Sequence, residues 1–306
     1  GLSYGKTQGV MKGSDRETVS GNIDLIYRKD KFQFSNKLIL DYVKTNNPTV
    51  GFAEYAKANP YYRKYNDEGG VDKYLYMPED EDEAPVINPL WNAKLNNYNT
   101  GSQFGFTNNF IVEWFATNDL RARAKFGISK SSKTSEVRLS PKHTDFDEVS
   151  DTEKGSYKNT QDKTLNYEGD LSVTYGHLFN EKHMVNAVVG MQVSDNKNKT
   201  SGFRAIGYVD DRNINPTFSN GYPSGEKPSY SNSQKRSASY YMNGGYAYDN
   251  RYLLDANFRA DGSSVFGVSN KFTTTWAVGV GWNIHNESFV KNCAFIDFLK
   301  LRYSIG

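Results

Sequence analysis

The one-by-one alternation of apolar and polar residues constrains this chain more than any other feature. In the segment 31–43, Phe32 and Phe34 lie on one side of an extended chain, whereas Gln33 and Lys37 lie on the other. Successive side chains of a β-strand point to opposite faces, so this pattern predicts strands with one apolar and one polar face. The 22 Tyr, 18 Phe and 26 Gly residues agree with an all-β fold, because aromatic residues favour strands and glycine favours turns. Ten strands are predicted: 17–28, 31–45, 101–116, 119–131, 161–178, 182–195, 236–248, 251–262, 272–285 and 296–305.

The lengths of the connections follow a second pattern. Short turns are predicted at 28–31, 117–119, 179–182 and 248–251, and they alternate with long connections at 46–100, 132–160 and 196–235. The connection across 261–264 is shorter than the other long connections but takes the place of one in this alternation. The connection at 286–295 is longer than the other short turns but takes the place of one. Outer-membrane barrels have short periplasmic turns at one end and long extracellular loops at the other. The sequence therefore predicts an antiparallel, up-and-down transmembrane β-barrel whose apolar face contacts the lipid bilayer.

Aromatic residues flank each of the four short turns, and this separates a membrane barrel from a soluble sandwich. Trp, Tyr and Phe collect at membrane interfaces, whereas core aromatics would not keep to one level along the strands. An open sheet of ten strands would leave two unpaired edges in lipid. Residues 1–306 are therefore expected to be part of a larger barrel domain, with the remaining strands outside this chain. The flanking residues are Tyr27, Phe32, Trp114, Phe115, Tyr175, Phe179, Tyr246, Tyr248 and Tyr252.

Charge and motif content exclude several functional classes. With 37 basic and 35 acidic residues and a net charge of +2, the chain lacks the basic footprint of a nucleic-acid-binding protein. The single cysteine, Cys293, cannot form an internal disulfide or a multi-cysteine metal site. The chain has no phosphate-loop or H-E-x-x-H motif, and no enzyme, cofactor or metal site is predicted. The Asp-Gly pair at 261–262 predicts a turn in which Ser263 and Ser264 are structural rather than nucleophilic.

The last fifth of the chain carries several consecutive motifs of one family. It closely resembles the barrel signature of SusC/RagA-like TonB-dependent outer-membrane transporters of Bacteroidota. The segment 271–282, KFTTTWAVGVGW, departs from the pattern, because the family usually has a Trp-Gly and Phe-Pro-Ser run there. Earlier stretches at 9–27, 52–65 and 167–190 resemble the same family, so the resemblance covers almost the whole chain. The motifs are RYLL (251–254), R-x-DGSS-x-FG (259–267), W-x-I-x-x-E-x-F (282–289) and LKLR-x-S-x-G (299–306).

The resemblance implies an architecture and a set of partners. It implies a barrel of about 22 strands closed by an N-terminal plug, the plugged-transporter type of barrel. It also implies a SusD-like lid lipoprotein, energy from the TonB complex, and import of oligosaccharides or, in some members, oligopeptides. Residues 1–306 match the barrel portion, and no plug or TonB box is recognised among them. An adhesin or a carbohydrate-binding β protein that does not transport is the alternative from another class.

Two groups of residues are candidates for function. Charged residues on the polar face of neighbouring strands are predicted to form ion pairs that stabilise the lumen wall or dock the plug, because the ladder begins near a short turn. These lumen charges are Arg121, Arg123, Lys125, Glu168 and Asp170. Polar residues near the extracellular mouth and aromatic residues of the long loops are predicted to contact cargo, since aromatic faces pack well on sugar rings and apolar side chains. They are Arg259, Asp261, Tyr61, Tyr62, Trp91, Tyr208 and Tyr222.

Overall fold

The computed structural model describes residues 1–79, 83–212, 214–267, 271–290 and 295–306. Among these residues, one antiparallel sheet contains eleven strands, and each strand pairs with its neighbours along the chain. The strands of the sheet are β1 (Leu2–Gln8), β2 (Asp15–Lys29), β3 (Phe32–Asn47), β6 (Tyr98–Phe115), β7 (Leu120–Leu139), β8 (Ser156–Phe179), β9 (His183–Ile206), β10 (Ser229–Tyr248), β11 (Tyr252–Ser263), β12 (Phe272–Asn283) and β13 (Lys300–Ile305). The predicted all-β, up-and-down antiparallel fold is confirmed.

The connection between β3 and β6 contains the remaining regular elements of that region. They are helix α1 (Phe52–Lys57), strands β4 (Tyr74–Tyr76) and β5 (Val86–Ile87), and helix α2 (Pro89–Lys94). Short 3-10 turns occur at Thr144–Phe146, Pro216–Phe218 and Ile284–Asn286. In the part of the chain that the structure describes, no helix is both long and apolar enough to cross a bilayer.

The structure adds three strands to the ten that the sequence predicts: β1 in the main sheet and the short pair β4 and β5. β1 pairs residue by residue with β2, from Leu2 opposite Gly21 to Gln8 opposite Asp15. Its sequence, LSYGKTQ, has too few apolar residues for its alternation to be recognised without the partner strand. The last strand is shorter than predicted and begins at Lys300 rather than at residue 296.

Three of the four short turns contain residues with a left-handed backbone conformation. Asp30, Asn180, Glu181, Asp249 and Asn250 all have φ values between 50° and 57°. Asn and Asp adopt this region more readily than other non-glycine residues, which favours them in tight hairpin turns. At the opposite end of the sheet, the connections 48–97, 140–155 and 207–228 are long.

The two faces of the sheet have opposite character. On the outer face, Leu25, Phe126, Val189 and Trp276 are all exposed, with Val189 at 54%. An apolar face of this extent is unfavourable in water and matches a surface that contacts lipid. The inner face, one residue out of phase, carries the polar and charged side chains of the same strands.

Stacked aromatic rings line the outer face beside the short turns. Phe32 stacks on Trp114 with ring centroids 6.2 Å apart, and Tyr252 stacks on Tyr248 and Trp282 at 6.3 and 6.4 Å. Phe115 is an exception to the predicted aromatic girdle. It pairs with Arg121 on the inner face, because consecutive strand residues point to opposite sides.

The predicted turn at Asp-Gly is wrong. β11 continues through Asp261 and Gly262 to Ser263, and Gly262 pairs with Phe272 of β12. A Cβ atom on Gly262 would lie 2.7 Å from the Phe272 ring, so the glycine permits a close ring contact inside a strand. Ser264 extends the pairing with the preceding strand, β10, since its amide donates to the Arg236 carbonyl at 2.8 Å and its hydroxyl accepts from the Arg236 amide at 2.9 Å.

A second glycine is required by an aromatic ring on the inner face. Gly190 of β9 lies directly opposite Tyr241 of β10. A Cβ atom on Gly190 would lie 2.3 Å from the Tyr241 ring, which therefore covers the glycine backbone. An aromatic ring that lies over a cross-strand glycine shields the backbone and fixes the register of the two strands.

The connection after β12 is anchored by one carboxylate. Glu287 is only 9% exposed, and it accepts hydrogen bonds from the Tyr252 hydroxyl at 2.9 Å and the Trp282 indole at 3.0 Å. Arg251 donates to its other oxygen at 3.3 Å. The bonds from Trp282 and Tyr252 hold the pKa of the Glu287 carboxyl below its ordinary value. The glutamate of the W-x-I-x-x-E motif thus ties this turn to the start of β11 and the end of β12.

Replacement of Gly190 should test the ring contact. We expect Gly190→Ala to lower the free energy of unfolding by about 1–3 kcal/mol, because the new methyl group displaces the Tyr241 ring. Gly176→Ala is the matched control, since Gly176 lies on the inner face of β8 and its Cβ would meet no atom within 4 Å. Urea unfolding in detergent micelles measures both, and equal stability of the two variants would contradict the contact.

The Glu287 anchor predicts a pH dependence. Because the folded-state pKa is lowered, the carboxylate stabilises the fold above the ordinary glutamate pKa of about 4.3, and this contribution is lost as the pH falls through the folded-state pKa. Glu287→Gln should therefore lower the urea midpoint at pH 7 and reduce its decline towards pH 3. Glu181→Gln, at the exposed turn between β8 and β9, serves as the control. The same pH profile for both variants would rule out the anchor.

Candidate functional site

Three ion pairs lie on the inner face of neighbouring strands. Each pair joins a basic residue of β7 to an acidic residue of β6 or β8. They are Arg121–Glu113 at 3.7 Å, Arg123–Asp170 at 3.8 Å and Lys125–Glu168 at 3.3 Å. The five predicted lumen charges are therefore all on one face and are brought together with Glu113. Whether they dock a plug stays a prediction.

Tyr241 extends this polar row into β10 and is not among the site residues predicted from the sequence. Its hydroxyl donates to Asp170 Oδ2 at 3.2 Å, so Asp170 contacts both Arg123 and Tyr241. The cross-strand partner of Tyr241 on the other side is Arg259. A tyrosine that falls in phase with polar residues, opposite a glycine, is the sequence signal that could have identified it.

Arg259 and Asp261 form the next part of the row on β11. The Arg259 Nε lies 2.8 Å from Asp261 Oδ2 and 2.9 Å from Oδ1. Ser239 of β10 donates to Asp261 at 2.6 Å and accepts from Arg259 Nη2 at 3.2 Å. The two predicted cargo-contacting charges are thus brought together, and each already has a protein partner.

Between these groups, the inner face has a shallow depression of about 500 Å³. Its polar lining includes Asp170, Gln192, Tyr241, Asn243, Asn257 and Arg259. Amide and phenol groups donate and accept hydrogen bonds, and a guanidinium group donates them, without covalent chemistry. Within the described ranges, no group of three or more His, Cys, Asp or Glu residues is arranged to hold a metal ion. The arrangement is suited to reversible binding of a polar ligand.

The long loops pack on each other at the opposite end of the sheet from the short turns. Asn92 of α2 donates to Thr144 Oγ1 at 2.7 Å and accepts from the Thr144 amide at 3.2 Å. Asn96 donates to the Asp211 carbonyl at 3.2 Å, which joins the first and third loops. A small core supports them, composed of Tyr157, Ala205, Tyr208 and Ile214 with Tyr98 and Phe203 packed against it. This end of the molecule is therefore a folded layer of loops.

The loop aromatics predicted to contact cargo differ in how much surface they offer. Tyr61 is 92% exposed, whereas Tyr208 is 3% exposed, and burial raises the pKa of Tyr208 to about 12. Tyr62 stacks on Tyr76 with ring centroids 5.4 Å apart. Trp91 donates to the Lys142 carbonyl at 3.0 Å. Tyr61 has the most free surface for a ligand, and Tyr208 packs in the loop core.

Tyr222 belongs to the third long loop and is also exposed. Its ring contacts Phe203 edge to face, with centroids 6.4 Å apart. In the described part of the chain, no ring contact or hydrogen bond joins the loop aromatics to Arg259 or Asp261. The predicted cargo-contacting residues therefore form two groups, one on the wall and one on the loops.

Comparison with known sequences gives relatives of one kind. The chain is 26% identical over 311 aligned residues to the TonB-dependent receptor P26 of Formosa agariphila, covering 100% of this chain and 30% of that protein. It is 38% identical over 68 residues to the TonB-dependent receptor SusC of Bacteroides thetaiotaomicron, covering 22% of this chain and 7% of SusC. No family model matches the chain. The relatives are receptors rather than enzymes, in agreement with the prediction that this chain is not an enzyme.

Comparison with solved structures supports the fold. The structure of the RagAB peptide transporter superposes with a TM-score of 0.79 at 16% identity and covers 99% of this chain and 34% of that one. The chain thus spans about a third of the length of the relatives that it matches over its whole extent. These findings confirm the resemblance recognised in the sequence: along its whole length, the chain is similar to about a third of a SusC/RagA-like TonB-dependent receptor, a β-barrel protein of the bacterial outer membrane.

Proposed function

We propose that this chain forms part of the wall of an outer-membrane importer for large nutrients. The observation that carries the proposal is the continuous polar row on the inner face, from the Arg121–Glu113 pair on β6 and β7 to the Arg259–Asp261 pair on β11. The outer face of the same strands is apolar, so the row lines an aqueous lumen. The similarity to TonB-dependent receptors along the whole chain supports transport through that lumen.

The chemistry of the inner face favours oligosaccharides as the cargo class. The charged side chains of the row are already paired with each other, so they leave little net charge for an ionic ligand. The groups that remain include the amides of Gln192, Asn243 and Asn257. Amides both donate and accept hydrogen bonds, as a hydroxyl-rich sugar requires. Exposed loop aromatics such as Tyr61 offer apolar faces for sugar rings.

Oligopeptides are the second candidate cargo, favoured by the likeness to the RagAB peptide transporter. Amide side chains bind peptide backbones as well as hydroxyl groups. An adhesin or carbohydrate-binding protein that does not transport is disfavoured, because it would have no use for a polar row along the inner wall.

The partners follow from the same proposal. The full-length protein would act with a SusD-like lid lipoprotein at the long loops and with the TonB complex at the periplasmic end. The remaining barrel strands and the plug would complete the lumen. Arg121 directly follows the first residue of β7, beside a short turn, which supports contact between the lumen charges and the plug.

Paired substitution of the inner-face amides should test import and its substrate. Asn243 and Asn257 are cross-strand partners, and neither charge nor strand pairing depends on their amides. In cells that express the full-length receptor, we expect Asn243→Ala with Asn257→Ala to raise the half-saturating cargo concentration about tenfold, the equivalent of one lost hydrogen bond. Uptake of labelled oligosaccharide and oligopeptide panels measures this effect.

Asn232→Ala on the outer face of β10 is the matched control and should leave uptake unchanged. Uptake should also require an intact TonB complex. If only the peptides show saturable uptake, the cargo is oligopeptides rather than oligosaccharides. Surface binding without accumulation of either class would reject import in favour of an adhesin.

A further inference from the structure

Four lysines lie on the outer face of β7, β8 and β9, where the apolar residues of these strands end. We call them the rim lysines: Lys130, Lys163, Lys197 and Lys199. Along β7, Phe126 and Ile128 precede Lys130 on the same face, and along β9, Val193 precedes Lys197 with Asp195 between them. The rim lysines therefore lie just beyond the lipid-facing belt, on the side of the long loops.

The strand register concentrates these four charges. Lys163 and Lys199 are direct cross-strand partners. Leu165 of β8 lies opposite Lys130 on one side and opposite Lys197 on the other. Neighbouring strands are about 4.8 Å apart, so the cluster is only about two strand spacings wide. Like charges directly opposite each other in a sheet are destabilising unless something compensates them.

Two other cations on the outer face have acidic partners. Lys6 pairs with Glu17 at 2.6 Å, and Arg236 pairs with Asp195 at 3.4 Å, both on the outer face. Among the described residues, none of the rim lysines forms an ion pair. Asp195 is two residues from Lys197, but it also accepts hydrogen bonds from Gln234 at 2.7 and 2.8 Å. Asp195 interacts with Lys197 as well as with Arg236, so the four rim lysines carry more positive charge than this one carboxylate neutralises.

We propose that the rim lysines bind the phosphate groups of the glycolipid in the outer leaflet of the outer membrane. The site has two matched parts, since the apolar belt below the lysines accommodates acyl chains and the ammonium groups reach the headgroup level. A phosphorylated glycolipid supplies the missing negative charge directly above its own acyl chains. The proposal depends on the outer-membrane location and is independent of the cargo that the receptor imports.

Native mass spectrometry of the full-length receptor in detergent provides the test. The probes are lipid A with its phosphate groups and the same lipid after enzymatic removal of the phosphates. Each lysine near an anionic surface contributes about fivefold in affinity. Lys163→Gln with Lys199→Gln should therefore weaken binding of phosphorylated lipid A about 25-fold. Lys163→Arg with Lys199→Arg should retain binding, because it keeps both charges.

Lys158→Gln with Lys235→Gln is the matched control, because these lysines lie on the inner faces of β8 and β10. It removes the same charge and should bind lipid A like the unaltered receptor. Retention of the heat-modifiable folded band shows that each variant is folded. Equal binding of the two lipid forms, or equal loss in the outer-face and inner-face glutamine variants, would overturn the proposal.

Discussion

The backbone hydrogen-bond register of the sheet is the constraint on which the rest of the structure depends. In an apolar environment every backbone donor and acceptor must be paired within the protein, so neighbouring strands are held in continuous ladders. β8 and β9 illustrate this, with an uninterrupted ladder from Ser156 opposite Ile206 to Phe179 opposite His183. Since side chains alternate with a period of two, that register also determines which residues meet lipid and which meet the lumen.

Properties that follow from the period of two could be predicted from the sequence. The faces of Arg121, Arg123 and Lys125 and the all-β antiparallel fold are of this kind. β1 was not predicted because it has too few apolar residues for the alternation to be recognised without its partner strand, β2. The Asp-Gly turn was wrong because Gly262 is needed for the Phe272 ring rather than for a positive φ, and local turn propensity carries no information about a ring on another strand.

The candidate site was predictable only where it lies on strands. The sequence placed Arg123 and Asp170 on one face, and the register then made them an ion pair. The contribution of Tyr241 depends on Gly190, a residue 51 positions earlier, and no local pattern connects the two. The loop aromatics have no periodicity at all. Tyr208 is buried because separate loops pack on each other, which is a tertiary event that composition does not reveal.

The charged residues of the row on the inner face form ion pairs with each other, whereas the rim lysines on the outer face do not. Ion pairs on a solvated surface contribute only about 0–1 kcal/mol each, so pairs such as Lys125–Glu168 are a minor source of stability. Their main effect is to neutralise the inner wall, which leaves side-chain amides such as those of Asn243 and Asn257 available for hydrogen bonds to a ligand. For the oligosaccharide cargo that we propose, a wall without strong local charge would bind the neutral polymer weakly at many points. Weak, repeated binding suits passage, because a ligand must leave each site as well as enter it.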